Sequence, residues 1–188
     1  MAILKVAHLG NPVLRRVAAQ VDPRELATPE MQRFLDDMVD TMREYDGIGL
    51  AAPQVHVSKQ ITVIEGELLK DEENVPEVAR GLLVLVNPAL RFKTERRLQM
   101  WEGCLSVPGL RGRTARLRHL EIEALDRQGN PLRFEAQGYF AGVVQHELDH
   151  LAGKVFLDRM KDLTTLTYLK EFRHHWEKDS DAEDELVT

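Results

Sequence analysis

The chain has one cysteine in 188 residues, Cys104. A lone thiol excludes an intramolecular disulfide, agrees with a reducing compartment and leaves open what that thiol is for. There is no apolar run approaching the roughly 20 residues that cross a bilayer, so no membrane partner is expected. The N-terminus, Met1 to Val6, lacks both the apolar core of a signal peptide and the Arg/Ser-rich character of a transit peptide, and a cytoplasmic protein is expected. An excess of basic residues is also missing. The net charge of −6 argues against binding to DNA or other phosphate backbones. Gly47-Ile48-Gly49-Leu50-Ala51-Ala52-Pro53-Gln54 is Gly-rich, but the βαβ context of a dinucleotide loop and the Lys-Ser/Thr of a phosphate loop are absent. Its glycines and small residues would instead let a backbone lie close against a ligand.

What is present fits one globular domain, expected over residues 1–176, followed by a disordered acidic tail over 177–188. Met1 to Val6 reads as a short strand. Thr28-Pro29-Glu30 starts a helix running from about 29 to 45, with Thr28 as cap, Pro29 in the first turn and Met31, Phe34, Leu35, Met38 and Met42 on one stripe. Gln60 to Ile64 and Leu82 to Val86 are β-branched runs, the second ended by Asn87-Pro88. Phe92 to Met100 reads as strand, and Arg118 to Asp126 with Pro131 to Ala136 as a hairpin turning at 127–130. Lys70 to Ala79 is charged and reads as an exposed loop or turn of helix. Helices follow over Phe140 to Leu151, with Gly153 as its cap, and over Leu163 to Trp176. The expected class is α+β: a compact strand-rich body around a central metal-binding helix, with one N-terminal and one C-terminal helix.

The chemistry concentrates in Gln145-His146-Glu147-Leu148-Asp149-His150. Two histidines four apart share a helix face and can hold one metal, with the glutamate beside it as a base. Two ligands do not complete a catalytic site, which takes three and keeps one position open. The extended pattern of zinc proteases places a third histidine where this chain has Phe156, and Glu171 and Glu177 lie on a short segment with little room around it. The better candidate is upstream, where Glu102-Gly103-Cys104-Leu105-Ser106-Val107-Pro108 carries the thiol, since a thiolate is a strong ligand for a borderline or soft divalent ion. His174-His175 are adjacent, face different directions on a helix and are not read as a site.

Gly47 to Gln54, Glu102 to Ser106 and Gln145 to His150 resemble, in order and spacing, the three signature motifs of the peptide deformylase family. The resemblance spans Met1 to Trp176 and implies hydrolysis of the N-formyl group from the starting methionine of new polypeptides, releasing formate. It implies that Cys104, His146 and His150 bind the metal, that Glu147 is the acid/base, and that Gln54 with the Leu105 backbone amide stabilises the oxyanion. It also implies iron(II) in the cell, with nickel, cobalt or zinc tolerated by the same donors, and sensitivity of an iron–thiolate site to oxygen. Gly138-Tyr139-Phe140-Ala141-Gly142 is similar to the Gly-Trp-x-Ala-Arg lead-in of organellar members, with Gly142 where many bacterial members carry a bulky residue. The methionine pocket is therefore expected to be lined by Ile48, Tyr139 and Val143 and to be roomier than usual at Gly142, unless another side chain fills the gap. Gly49 and Gly103 would border the substrate, and Arg111 falls where the family places a basic residue near the substrate backbone. The expected partners are formylated nascent chains. The acidic C-terminus disfavours the RNA docking that basic extensions provide, although transient access to nascent chains on the ribosome is still required. Two competing readings are a metallopeptidase cleaving internal bonds, disfavoured by Phe156, and a non-catalytic metal-binding relative, disfavoured by the presence of Glu147 and Gln54.

Overall fold

Alternation of apolar and polar residues produces most of the strands, and the Thr28 cap with Pro29 behind it produces the first long helix. The computed structural model describes residues 2–69, 75–177 and 184–186. A 3-10 turn at Pro12–Arg15 and the short helix α1 (Pro23–Leu26) lead into α2 (Pro29–Glu44), whose Thr28 side chain accepts from Met31 N as expected. Then come β1 (Gly49–Ala51), a 3-10 helix over Ala52–Val55, β2 (Ile61–Glu65) and two further 3-10 turns at Gly66–Leu69 and Glu77–Ala79. The long strands are β3 (Leu82–Lys93), β4 (Arg97–Cys104), β5 (Val107–Leu117), β6 (His119–Leu125) and β7 (Pro131–Gln137). The chain ends with α3 (Gly138–Leu151), β8 (Thr167–Tyr168), α4 (Leu169–His175) and β9 (Asp184–Leu186).

All strand pairs are antiparallel, in a five-stranded sheet ordered β1-β2-β3-β6-β7 and a four-stranded sheet ordered β8-β5-β4-β9. Helix α3 packs against strands of both sheets, as the expected central helix of an α+β fold does. One face of the five-stranded sheet buries Ile64, Leu83, Leu85, Leu120 and Ile122 with Phe140, Ala141 and Val144 of α3. Its other face buries Val63, Val84 and Val86 with Leu35, Met38 and Met42 of α2. No helix among the described residues is long and apolar enough to cross a membrane.

Several local expectations change. Residues 2–6 form no strand; Ala2 N donates to Asp37 Oδ1 and Leu4 N to Thr41 Oγ1, so side chains of α2 take the place of a ladder. Asn87-Pro88 does not end β3. Asn87 adopts φ +51 within a register shift, and its side chain accepts from Val21 N (2.8 Å) and donates to Val21 O (2.9 Å), so the strand bulges and continues to Lys93. The last helix is shorter than its apolar spacing suggests: Leu163–Thr165 is a 3-10 turn capped by Asp162, and Thr167–Tyr168 pair with Leu110 and Arg111 at the open edge of β5. The edge supplies unpaired backbone groups to the threonine-rich segment, and only Phe172 of α4 is buried. In the tail, Asp184–Leu186 pair with Arg97–Gln99 of β4, while 178–183 and 187–188 lie outside the described residues. Of the charged segment over 70–79, 70–74 also lie outside them, and Glu77–Ala79 form a helical turn, but Val75 and Ala79 are buried rather than exposed.

Replacing Asn87 by Ala removes two hydrogen bonds worth about 1 kcal/mol each and puts a residue without a side-chain compensation at positive φ. We expect a loss of roughly 2–3 kcal/mol in chemical denaturation, with an unchanged slope; a loss under about 0.5 kcal/mol would show that the bulge does not depend on Asn87.

Candidate metal centre

Helix α3 leaves β7 with its core face already set by Phe140, Ala141 and Val144 and ends where Gly153 adopts φ +71. Lys154 N bonds Asp149 O at 2.8 Å and Gly153 N bonds His150 O at 3.2 Å, the paired pattern that closes a helix on a left-handed residue. A Cβ at Gly153 would also fall 2.9 Å from Arg15 backbone atoms, so glycine serves both conformation and close packing. These constraints fix the turn that carries His146, Glu147 and His150.

β4 faces that turn. Its alternation buries Leu98, Met100, Glu102 and Cys104, and the last of these brings the thiol to the histidines. One donor atom from each of Cys104, His146 and His150 lies within 4.8 Å of the others, with Cys104 Sγ and His150 Nε2 at 3.2 Å. Glu102 Oε2 accepts from His146 Nδ1 at 2.6 Å. That bond puts the ring proton on Nδ1 and leaves Nε2 as the atom able to bind a metal. Arg116 of β5 grips both Glu102 oxygens, at 2.7 and 2.9 Å, and Thr114 donates to the same carboxylate. Arg116 also donates to Asp149 Oδ2 at 2.6 Å, and Asp149 accepts from Arg159 as well.

The remaining groups flank this cluster. Gln54 occupies the third position of the 3-10 helix after β1; its Oε1 accepts from Ala51 N (2.8 Å), and its Nε2 lies 3.1 Å from Ser106 Oγ and 3.4 Å from Cys104 Sγ. Glu147 packs against the β1 backbone so closely that a Cβ at Gly49 would fall 2.3 Å from its Oε1. Thr62 Oγ1 is 3.4 Å from Glu147 Oε2 and 3.2 Å from Leu50 O, so its single proton serves one of them.

Burial would push the Glu102 carboxyl up, but His146 and Arg116 outweigh it and hold it well below the usual carboxylate range. Burial likewise opposes ionisation of Cys104, and the facing His150 and His146 overcome it, lowering the thiol well below its ordinary value. Glu147 differs: burial dominates and raises its pKa, with Cys104 adding to the shift and the two imidazoles only partly offsetting it. The centre thus offers a ready thiolate, two oriented imidazoles and a carboxylate of raised proton affinity. Three protein donors of this kind suit a borderline divalent ion and leave room for a further ligand.

The sequence profile of the polypeptide deformylase family matches residues 3–165. The chain belongs to that family. It is accordingly an enzyme, a hydrolase that removes the N-formyl group from new polypeptides. Peptide deformylase 1 of Bordetella pertussis is 42% identical over 167 residues, covering 89% of this chain and 91% of the relative. Peptide deformylase 2 of Pseudomonas putida is 38% identical over 169 residues, covering 88% and 92%. Among solved structures, the actinonin-bound class I type b peptide deformylase from Acinetobacter baumannii superposes with TM-score 0.76 at 34% identity, over 86% of this chain and all of that one. The Thermotoga maritima deformylase gives TM-score 0.76 at 30% identity, again over 86% and 100%.

Ile48 and Tyr139 are half-buried against the cluster that contains Val143. Arg111 lays its guanidinium over Gly103, where a Cβ would sit 1.8 Å from Nη1. Burial lowers its pKa, and Tyr139 and Cys104 partly oppose that shift while Arg173 adds to it. Leu105, in the β4–β5 turn, packs against the α2 cluster. At Gly142 the expected extra room is absent, because Met100 Sδ sits 2.0 Å from where a Cβ would be. A side chain from β4 fills the place left on α3. Phe156, which occupies the position of the proteases' third histidine, stacks its ring on His146 at 6.4 Å. His174 and His175 lie on α4, and His175 faces Glu171 at 3.5 Å.

Glu102, Ser106 and Asp149 lie inside the sequence motifs but carry no role legible from sequence, and Arg116 and Thr114 lie outside the motifs altogether. Alternation was the usable signal for Glu102: an acid two residues before Cys104 on the same strand face is buried and needs a partner.

Gly49→Ala is expected to displace the Glu147 carboxylate while leaving the three donors in place, and displacements of about 1 Å can cost 10²-fold in rate. Metal content should stay stoichiometric while kcat falls about 10²-fold; Gly81→Ala, which meets nothing within 4 Å, serves as the control. A fully active Gly49→Ala enzyme would refute the close packing.

Proposed function

We propose that this chain deformylates the N-terminus of nascent polypeptides with Cys104, His146 and His150 holding one divalent ion, iron(II) in the cell, and with Glu147 moving the proton. The observation that carries this reading is the meeting, in one buried cluster, of three metal-type donors with Glu147 and the Gln54 amide. The family's metal dependence and the softness of the donor set support it, and nickel, cobalt or zinc would fit the same atoms.

A bound divalent ion would supply Lewis acidity and lower the pKa of a water in its open position. Glu147, buried and raised in pKa, takes the water's proton and later delivers it to the departing amine. As the water oxygen bonds to the formyl carbon, charge develops on the formyl oxygen. The Gln54 Nε2–H and the Leu105 N–H donate to that oxygen, one such donor being worth roughly 3 kcal/mol. Cleavage of the C–N bond yields formate and a free amino terminus. The methionine side chain enters among Ile48, Tyr139, Val143 and Met100, beside Gly142. The backbones of Gly49 and Gly103 flank the peptide, and Arg111 approaches its backbone carbonyls.

Residues 1–176 form the single catalytic domain in this reading, acting in the cytoplasm. Contact with the ribosome is transient, since the acidic C-terminus disfavours RNA.

The central test is formate release from a formyl-Met peptide by iron- or nickel-loaded protein beside Glu147→Ala. We expect the variant to retain metal and lose at least about 10²-fold in kcat; no formate from the wild type would end the reading. The pocket has its own test. Met100→Ala should raise the ratio of kcat/KM for formyl-Phe over formyl-Met by about tenfold, the scale of small hydrophobic pocket changes, and an unchanged ratio would remove Met100 from the pocket.

A further inference from the structure

We propose that Ser106 is a positioning residue whose hydroxyl aims the Gln54 amide at the developing oxyanion, an inference that rests on the deformylase reading above. Ser106 is fully buried in the turn between β4 and β5, and each of its polar groups meets a different neighbour. Its carbonyl accepts from Leu9 N at 2.7 Å, and its N–H donates to Cys104 Sγ at 3.4 Å. Its hydroxyl oxygen accepts from Gln54 Nε2 at 3.1 Å.

Gln54 is equally buried, and the bonds around it determine its orientation without ambiguity. Ala51 N–H can only donate, so the atom it meets at 2.8 Å must be the amide oxygen. The nitrogen then carries two hydrogens and faces two acceptors, Ser106 Oγ at 3.1 Å and Cys104 Sγ at 3.4 Å. The two N–H bonds of a carboxamide lie in one plane at a fixed angle, so committing one to the serine dictates where the other points. It points to the thiolate side of the site. The contact to sulfur is the longer of the two, and a thiolate that holds a metal has less electron density to offer a donor, so an arriving formyl oxygen can take this second hydrogen without disturbing the first.

Alanine at 106 would keep both backbone bonds of the residue and therefore the turn and the N–H to the thiolate. Only the clamp on Gln54 would be lost. A role confined to the fold or to the metal would not depend on Gln54, whereas the positioning role vanishes without it.

The test is a double-mutant cycle in cobalt-loaded enzyme with Ser106→Ala, Gln54→Ala and both together, assayed on a formyl-Met peptide. We expect Ser106→Ala to lower kcat roughly 10- to 100-fold, the usual scale for groups that orient a catalytic partner, with KM little changed. The cobalt–thiolate absorption should be unaltered, and the double variant should be no slower than Gln54→Ala. Full activity in Ser106→Ala beside a slow Gln54→Ala sinks this inference alone, as does an equal further loss from Ser106→Ala in the Gln54→Ala background. A fully active Gln54→Ala sinks the oxyanion assignment and this inference with it. Should Ser106→Ala fail to fold, zinc-loaded wild type decides by NMR: the Gln54 side-chain amide, assigned by its disappearance in Gln54→Ala, should show two separate protons, one strongly protected from exchange, and two rapidly exchanging protons would overturn the proposal.

Discussion

Glu102 is the carboxylate on which the centre depends. It is 4% exposed and accepts from a histidine, an arginine and a threonine at once. A buried charge of this kind is tolerable only when paired and hydrogen-bonded, and removing one partner typically costs 3–5 kcal/mol. Arg116 neutralises Glu102 but is itself buried, so it needs Asp149 as a second counterion; Asp149 in turn is shared with the half-exposed Arg159. Charge thus alternates from the surface inward until it reaches His146. The consequence for chemistry is geometric: the ring of His146 has one available tautomer and one orientation, with Nε2 directed at the thiol.

The same strand and helix are matched along their length. Successive inward residues of β4 recur every two positions, about 6.6–6.8 Å, while successive residues on one face of α3 recur every four, about 6 Å. The near agreement lets three pairs stack in register: Met100 on Gly142, Glu102 on His146 and Cys104 on His150. Each pair has a different character: the first is steric, the second charged, and the third a contact between two donor atoms of the metal type. The small residue at 142 and the long one at 100 are therefore one packing decision written in two places.

That division explains what was legible in the sequence. Motifs local in the chain, such as His146-Glu147 with His150, the Thr28 cap, Gly153 and the hairpin at 127–130, could be read because their physics is decided within a few residues. The three donors were legible as well, since residue type limits which groups can bind a metal. Features decided across the chain were not. Nothing near Gly142 announces that Met100 will fill its space, and nothing near Asn87 announces that Val21 will hold it at positive φ and let β3 continue. The apolar spacing of 163–176 is real, but the unpaired edge of β5 competes for that segment and wins its first half.

The first residues of the chain show how such long-range terms reach the site. They make no ladder of their own, yet their backbone N–H groups find acceptors in separate functional segments: Ala7 N on Gln54 O, Leu9 N on Ser106 O and Ala18 N on Leu151 O. Buried backbone donors must be satisfied somewhere. Here the acceptors belong in turn to the segment after β1, the β4–β5 turn and the last turn of α3. One irregular stretch of chain therefore ties together the three segments that carry Gln54, the thiol and the histidines. Their spacing is held by hydrogen bonds that any residue but proline can make, which is why the tie leaves no signature in side-chain pattern.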